Sequence, residues 1–292
     1  MSAPSTSRPA PLRVATAQAE SRPGDVEANV AAAVALVVEA ARGGARVAVL
    51  PELFLTGYDP QTWHGGPALA DVPAEDPRLA PLTEAAAQHQ VVVVVGAAVD
   101  HTSGPLSGKR TISLLLADGR DGGRLDVAYD KQHLTAEEKP WFTPGRRGAS
   151  LVVDGWELGL GVCYDGCFPE HARAAAEAGA TAYLCPAAYY TGAEHRRDLY
   201  YAARALDNGI YVVLSDLTGT CGGRTFSGGS AVYDPQGRPV VRAGRERAVV
   251  YADLEPAEVE VARELNPMTT DRVEPSLLTE RVRWEPLAGR VG

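Results

Sequence analysis

Three residues of this 292-residue chain, Cys163, Glu52 and Lys131, are of the types that acyl transfer through a thiol requires. Each closes an apolar, strand-like run: residues 157–163 end in Cys163, residues 46–50 lead through Pro51 to Glu52, and residues 125–129 lead through Asp130 to Lys131. A thiol can attack a carbonyl carbon. A carboxylate can take the thiol's proton and later one from water, while a fixed ammonium holds the tetrahedral oxyanion. Gly161-Val162-Cys163-Tyr164-Asp165 puts the thiol where a serine-hydrolase elbow carries its serine, with Asp165 in the second glycine position. Backbone amides at such a corner, that of Tyr164 first, lower a thiolate's pKa and bind an oxyanion. The same cysteine reads equally as a small buried hydrophobe, and strand-end charges usually turn to water. Three chemically complementary strand ends are harder to set aside, because the active sites of α/β sheets form where strand ends converge.

The elements that must position these residues alternate along the chain. Leu12–Gln18 reads as a strand, and Pro23, Gly24 and Asp25 open a long Ala/Val-rich helix that stops near Gly43 and Gly44. A loop rich in Gly, Pro and Trp (57–77) precedes a helix near 79–88, a strand at 91–99, and two strands at 111–117 and 125–129 whose Gly/Asp turn suggests antiparallel pairing. The second half continues the alternation, with strands at Ser150–Val153 and 157–163, a helix at 169–178, a strand at 181–185, a helix at 196–208 and a strand at 211–215. A hairpin at 230–233 and Pro239–Arg242 and a last strand, Ala248–Leu254, complete the pattern. This predicts one α/β domain over 12–254 with a mixed, two-layered sheet, a flexible tail at 1–11, and a proline-punctuated extended arm at 255–292 that could pack on a neighbouring subunit.

Composition narrows the function classes. With 28 Lys and Arg against 37 Asp and Glu the formal net charge is −9, which argues against phosphate-driven nucleic-acid binding. The chain is 45% apolar and 22% charged, enough to bury a core, and no apolar run approaches the roughly 20 residues of a membrane span. Residues 1–11 lack the apolar centre of a signal peptide, so a soluble cytoplasmic protein is expected. Cys163, Cys167, Cys185 and Cys221 do not form the pattern of a disulfide scaffold. No cofactor is implied. Gly104, Gly108 and Lys109 are too close for a phosphate loop, Tyr164 stands where a dinucleotide fingerprint needs its third glycine, and no His pair near Cys163 and Cys167 completes a metal site.

The segments Leu50-Pro51-Glu52-Leu53-Phe54-Leu55-Thr56-Gly57-Tyr58, Tyr129-Asp130-Lys131-Gln132-His133-Leu134 and Gly161-Val162-Cys163-Tyr164-Asp165-Gly166-Cys167-Phe168-Pro169-Glu170 resemble the three signature blocks of the nitrilase superfamily, the carbon-nitrogen hydrolases. Phe142-Thr143-Pro144-Gly145, Arg204-Ala205-Leu206-Asp207-Asn208 and Gly228-Gly229-Ser230 extend the match, in family order, from Leu12 to Leu254. The resemblance implies a four-layer α-β-β-α sandwich that commonly forms homodimers, and a triad of Glu52, Lys131 and Cys163. It also implies that Glu138, not its neighbour Glu137, orients Lys131 or the attacking water. Cys167, Ser215-Asp216 and Asp207 depart from residues common in relatives and bear on the branch.

Within the superfamily the blocks look most like stand-alone amidases of small linear amides, including those with an amino or guanidino group at the far end. The expected reaction is hydrolysis of a small carboxamide to acid and ammonia through a Cys163 thioester. An N-carbamoyl hydrolase with the same triad is the alternative, followed by a nitrile hydrolase and by a non-catalytic binding protein. Tyr58, Tyr164, Phe168 and Tyr189 are candidate substrate-binding residues. Asp165, Glu194 or Asp216 could receive a cationic substrate end, and His195 reads as structural.

Overall fold

Five consecutive valines, 91–95, with no polar partner between them make a strand that can lie only between covered faces. The computed structural model, which describes residues 8–66, 68–70, 76–273, 279 and 281, places that run at β4 (Val92–Asp100), inside the first of two large sheets. In chain order the first sheet is built from β1 (Leu12–Gln18), α1 (Val26–Arg42), β2 (Val47–Val49), α2 (Pro60–Trp63), β3 (Leu69–Ala70), α3 (Ala80–His89), β4, β5 (Arg110–Asp118) and β6 (Leu125–Asp130). The second takes β7 (Ser150–Val153), β8 (Trp156–Leu160), α4 (Pro169–Glu177), β9 (Ala182–Ala187), α5 (Glu194–Asn208) and β10 (Tyr211–Asp216). There follow a small hairpin, β11 (Thr218–Cys221) with β12 (Arg224–Ser227), then β13 (Ala231–Tyr233), β14 (Pro239–Arg242), β15 (Ala248–Leu254) and α6 (Pro256–Leu265).

The strand orders are β15-β1-β2-β4-β5-β6, with β3 beside β4, and β14-β13-β10-β9-β8-β7. The inner strands β1, β2 and β4 are parallel, as are β8, β9 and β10, and antiparallel strands close both edges. The sheets stack face to face through β1 and β10. Thr16 Oγ1 donates to Leu214 O at 2.7 Å and Ser215 Oγ to Ala17 O at 2.7 Å, so buried hydroxyls between the layers satisfy strand carbonyls of the facing sheet. Helices α1 and α3 cover the first sheet, and α4 and α5 the second. The result is the expected four-layer α-β-β-α sandwich.

Local chemistry accounts for the element ends. Asp25 caps α1 by accepting from Ala28 N–H at 3.1 Å, and Val26, Val30, Ala33, Leu36, Val37 and Ala40 recur at helical spacing on its buried face. Three expectations change. The strand expected through Cys163 ends at Leu160, because the chain then turns into a five-residue 3₁₀ helix, Cys163–Cys167. The arm expected to be extended from Glu255 begins instead as α6, with Pro256 at the N-terminal position that suits proline and with Val259 and Ala262 buried. Within the tail expected at 1–11, residues 1–7 lie outside the described residues, whereas Ala10 O accepts from Trp156 Nε1 at 2.8 Å, so the tail's end is tied to the second sheet. No helix among the described residues is long and apolar enough to cross a membrane.

Candidate active site

Glu52 leaves β2 through Pro51 into a tight turn where Leu53 holds a φ of 49° and its carbonyl accepts from Gly57 N–H at 2.7 Å. The turn rests on Gly96 of β4, which donates to Pro51 O at 3.0 Å and accepts from Leu55 N–H at 3.1 Å. A Cβ on residue 96 would stand 2.6 Å from Glu52 Cα, so only glycine lets the two backbones approach. From the same turn Glu52 N–H reaches Ala187 O, at the end of β9 in the other sheet, at 3.4 Å. Lys131 is the first residue past β6, its N–H still bonded to Ile112 O at 2.8 Å. Cys163 opens the 3₁₀ turn with a φ of 47°, a left-handed conformation that costs a residue bearing Cβ roughly 1–3 kcal/mol and persists only where the surroundings enforce it. Tyr201 supplies part of that enforcement by donating its hydroxyl to Cys163 O at 3.0 Å.

These strand ends bring four ionisable side chains together. Lys131 Nζ donates to Glu52 Oε1 at 2.7 Å and to Glu138 Oε1 and Oε2 at 2.7 and 2.8 Å. Glu138 also accepts from Tyr58 OH at 2.8 Å and from Thr135 N–H at 2.9 Å, which fixes it as the outer support of the ammonium. Lys131, Glu52 and Glu138 are completely buried and Cys163 nearly so. Two carboxylates and one ammonium buried together seldom add stability, which marks the cluster as a candidate for chemistry.

The electrostatics follow from this arrangement. Burial raises the Glu52 pKa from 4.5 to about 7; Lys131 opposes that rise and Glu138 adds to it. Burial acts against the Lys131 charge, but the two carboxylates outweigh it and hold the ammonium well above its ordinary range. The Cys163 thiol is pushed well up by burial and by the Glu52 charge, with Lys131 and the Ala188 amide pulling it down. At rest the group is a thiol beside a carboxylate poised near neutrality, with a permanent ammonium between two acids. Glu52 Oε2 makes no hydrogen bond of normal geometry among the described residues, so one carboxylate oxygen is left to receive a proton.

Cys163 lines a cavity of about 390 Å³ together with Tyr58, Tyr164, Tyr189, Tyr190, Cys167 and Arg196. Of the candidate substrate-binding residues, Tyr58, Tyr164 and Tyr189 are therefore at the cavity. Phe168 is not among its lining residues; it stacks on His133 with ring centroids 3.9 Å apart and backs the Tyr164 ring. Asp165 also faces away. Its buried carboxylate is taken by Tyr129, His133 and the Val162 amide, so it cannot reach a substrate. Asp216 is buried against Arg197 at 3.0 Å, and Glu194 pairs with Arg245 at 3.0 Å on the surface. Glu137 does reach the cavity, where Arg224 and the Tyr190 hydroxyl engage its carboxylate.

Sequence reasoning missed Tyr190 and Arg196, whose only signals were a doubled tyrosine past β9 and a basic residue in the first turn of α5. It also missed the β11–β12 hairpin, whose Phe226 packs on Tyr58 and Tyr190. Among the described residues one cluster, His133, Asp165 and His171, has ligand atoms close enough for a metal ion. Its acceptors are already used: Asp165 takes four donors, and both His171 ring nitrogens bond tyrosine hydroxyls at 2.8 and 2.9 Å.

The chain is similar to known proteins in both sequence and fold. The family model described as carbon-nitrogen hydrolase matches residues 13–264. The amidase of Nesterenkonia sp. AN1 is similar in structure: a glutamate-to-glutamine mutant with the acetamide moiety of fluoroacetamide added covalently at its active-site cysteine is 31% identical, with a TM-score of 0.78 over 93% of this chain and 97% of that one. A cysteine-to-alanine mutant of the same amidase was solved in complex with butyramide, at a TM-score of 0.77 over 91% of this chain and 95% of that one. The (R)-stereoselective amidase of a Pseudomonas species is 32% identical over 84% of this chain and 86% of its own length. The 2-oxoglutaramate amidase of Bacillus subtilis is 30% identical over 78% and 85%. Blocks, fold and relatives converge: the chain belongs to the carbon-nitrogen hydrolases of the nitrilase superfamily, on their amidase branch.

Proposed function

We propose that the chain hydrolyses a small linear carboxamide to the carboxylic acid and ammonia through a thioester on Cys163. The observation that carries this reading is the buried Lys131 ammonium, clamped between Glu52 and Glu138 beside a thiol that lines the cavity. Glu52 takes the proton of Cys163 as sulfur bonds to the amide carbon. Charge then develops on the carbonyl oxygen, where Lys131 and the Tyr164 N–H, which donates to no acceptor among the described residues, receive it. Collapse of the tetrahedral intermediate breaks the C–N bond, and the proton held by Glu52 leaves with the nitrogen as ammonia. Water gives a proton to Glu52, attacks the thioester and releases the acid, and the proton returns to the thiol. A Glu52 pKa of about 7 suits both directions of transfer.

The cavity also bears on the far end of the substrate. An ω-amino or ω-guanidino group would need a free carboxylate. Asp165 and Asp216 are buried elsewhere, Glu194 pairs with Arg245, and Glu137 is held by Arg224. Arg196 lines the cavity with no hydrogen bond or ion pair among the described residues. That charge balance favours a neutral or anionic tail over a cationic one.

An ammonia-release screen over neutral amides, ω-carboxy amides, ω-amino amides, N-carbamoyl amines and nitriles tests the reading. Turnover of neutral or ω-carboxy amides by the wild type, lost in a folded Cys163→Ala variant, is the expected result. Equal activity in that variant would overturn the mechanism, and selective turnover of N-carbamoyl amines would replace the amide with a carbamoyl substrate.

A further inference from the structure

Asp165 sits two residues beyond Cys163, is completely buried, and does not line the cavity. Its Oδ1 accepts from the N–H and the Nδ1 of His133, both at 2.8 Å. Its Oδ2 accepts from Tyr129 OH at 2.7 Å and from Val162 N–H at 3.0 Å. The placement of these donors is specific. Tyr129 and His133 stand two residues before and two residues after Lys131, while Val162 and Asp165 flank Cys163. One carboxylate therefore bridges the segment that carries the ammonium and the elbow that carries the thiol, pinning the former both two residues before and two residues after Lys131.

The bridge is braced in turn. Tyr129 donates to Asp165, so His171 Nε2 must donate to the Tyr129 oxygen at 2.8 Å, and His171 Nδ1 then accepts from Tyr183 OH at 2.9 Å. This run of donors gives Tyr129 a single orientation. Although burial alone would raise the Asp165 pKa, its bonds to His133 and Tyr129 and the nearby His171 bring it below the usual value, so the bridge is an anion. Neither Lys131 nor Cys163 touches this carboxylate in a hydrogen bond.

We infer that Asp165 is a positioning residue: through Tyr129, His133 and Val162 it sets where the Lys131 ammonium stands relative to the Cys163 sulfur, and hence how well the oxyanion is met. The inference rests on the proposed thioester chemistry for its effect on turnover, but the geometry it describes exists in the resting protein. A displacement of the ammonium by a fraction of an ångström falls on the transition state and leaves ground-state binding in the tyrosine-lined cavity largely alone.

The test uses Tyr129→Phe, which keeps the ring and removes the donor, and His133→Ala and His133→Asn on a partly exposed residue, where asparagine restores an N–H near the place of Nδ1. Two readouts are taken on the full chain: kcat and KM per titrated Cys163, and the rate of Cys163 alkylation by iodoacetamide, followed by peptide mass spectrometry. The expected result is a loss of about tenfold or more in kcat for Tyr129→Phe and His133→Ala, KM within about twofold, a parallel fall in alkylation rate, and recovery in His133→Asn. Unchanged kcat per active site with only a lower melting temperature would show a merely structural bridge and overturn the inference. So would a change confined to KM, which would return Asp165 to substrate binding. If the wild type releases no ammonia from any amide, the substrate reading fails, and the alkylation rates still decide the positioning role.

Discussion

Gly96→Ala tests whether the turn carrying Glu52 must lie against β4. The added methyl would stand 2.4 Å from Leu53 N and 2.6 Å from both Glu52 Cα and Pro51 O, about 0.8 to 1.0 Å inside the 3.4 Å at which ordinary contact begins. All three obstacles are backbone, and Gly96 bonds to the turn through Pro51 O and Leu55 N–H, so no side chain can swing away to make room. Either β4 or the turn must move by most of an ångström. Overpacking of this kind costs about 1–3 kcal/mol, which in a protein of this size lowers the melting temperature by several degrees. The catalytic effect is larger, because a shift near 1 Å of a reacting group costs about 100-fold in rate. Ammonia release should therefore show kcat down by about two orders of magnitude, with KM little changed and the chain still folded. Gly148→Ala is the control, since a Cβ there meets nothing within 4 Å. Near-wild-type kcat in Gly96→Ala would refute the claim that this close approach positions Glu52.

Other predictions follow from the buried charges. With Glu52 at about 7, kcat/KM should rise with pH through a limb near 7, and Glu52→Gln should lose that limb together with about 100-fold to 10,000-fold of the rate. Stability carries the opposite sign: because the folded pKa of Glu52 lies above its ordinary 4.5, its contribution is complete below about 4.5 and is lost as pH rises through about 7. Thermal melts should accordingly favour Glu52→Gln over the wild type most at pH 8 and least below pH 5. Arg197→Met should destabilise the fold by about 3–5 kcal/mol in urea titrations, because it strands buried Asp216, whose pKa burial already raises to about 6 against the pull of Arg197.

Elements with strong local signals were legible from the amino-acid order. β1 begins and ends at the expected residues because its apolar alternation stops at a polar loop, and the valine run could be little other than a covered strand. The convergence of Glu52, Lys131 and Cys163 was also legible, since a charge or thiol at the end of an apolar strand is chemically visible, and the family resemblance added Glu138 by its place ahead of the Phe142-Thr143-Pro144-Gly145 turn. What escaped depends on tertiary partners. The β11–β12 hairpin contains three glycines in ten residues and is held by Phe226 against Tyr58 and Tyr190, contacts that no local pattern encodes. Helix α6 was masked by Pro256, which reads as a breaker although the first helical position accepts it. Asp165 misled for a related reason: adjacency to Cys163 in sequence suggested contact with substrate, while the 3₁₀ turn rotates its carboxylate into the fold toward Tyr129 and His133.

Passage of the acyl group through sulfur at residue 163 is the step on which the rest depends, and rapid acid quenching during turnover of an isotopically labelled small amide, followed by peptide mass spectrometry, tests it directly. The expected result is a labelled acyl group on the Cys163 peptide, absent from Cys167, Cys185 and Cys221 and from the Cys163→Ala variant. Ammonia release in the wild type with Cys163 unmodified throughout, or with the label on another cysteine, would contradict it.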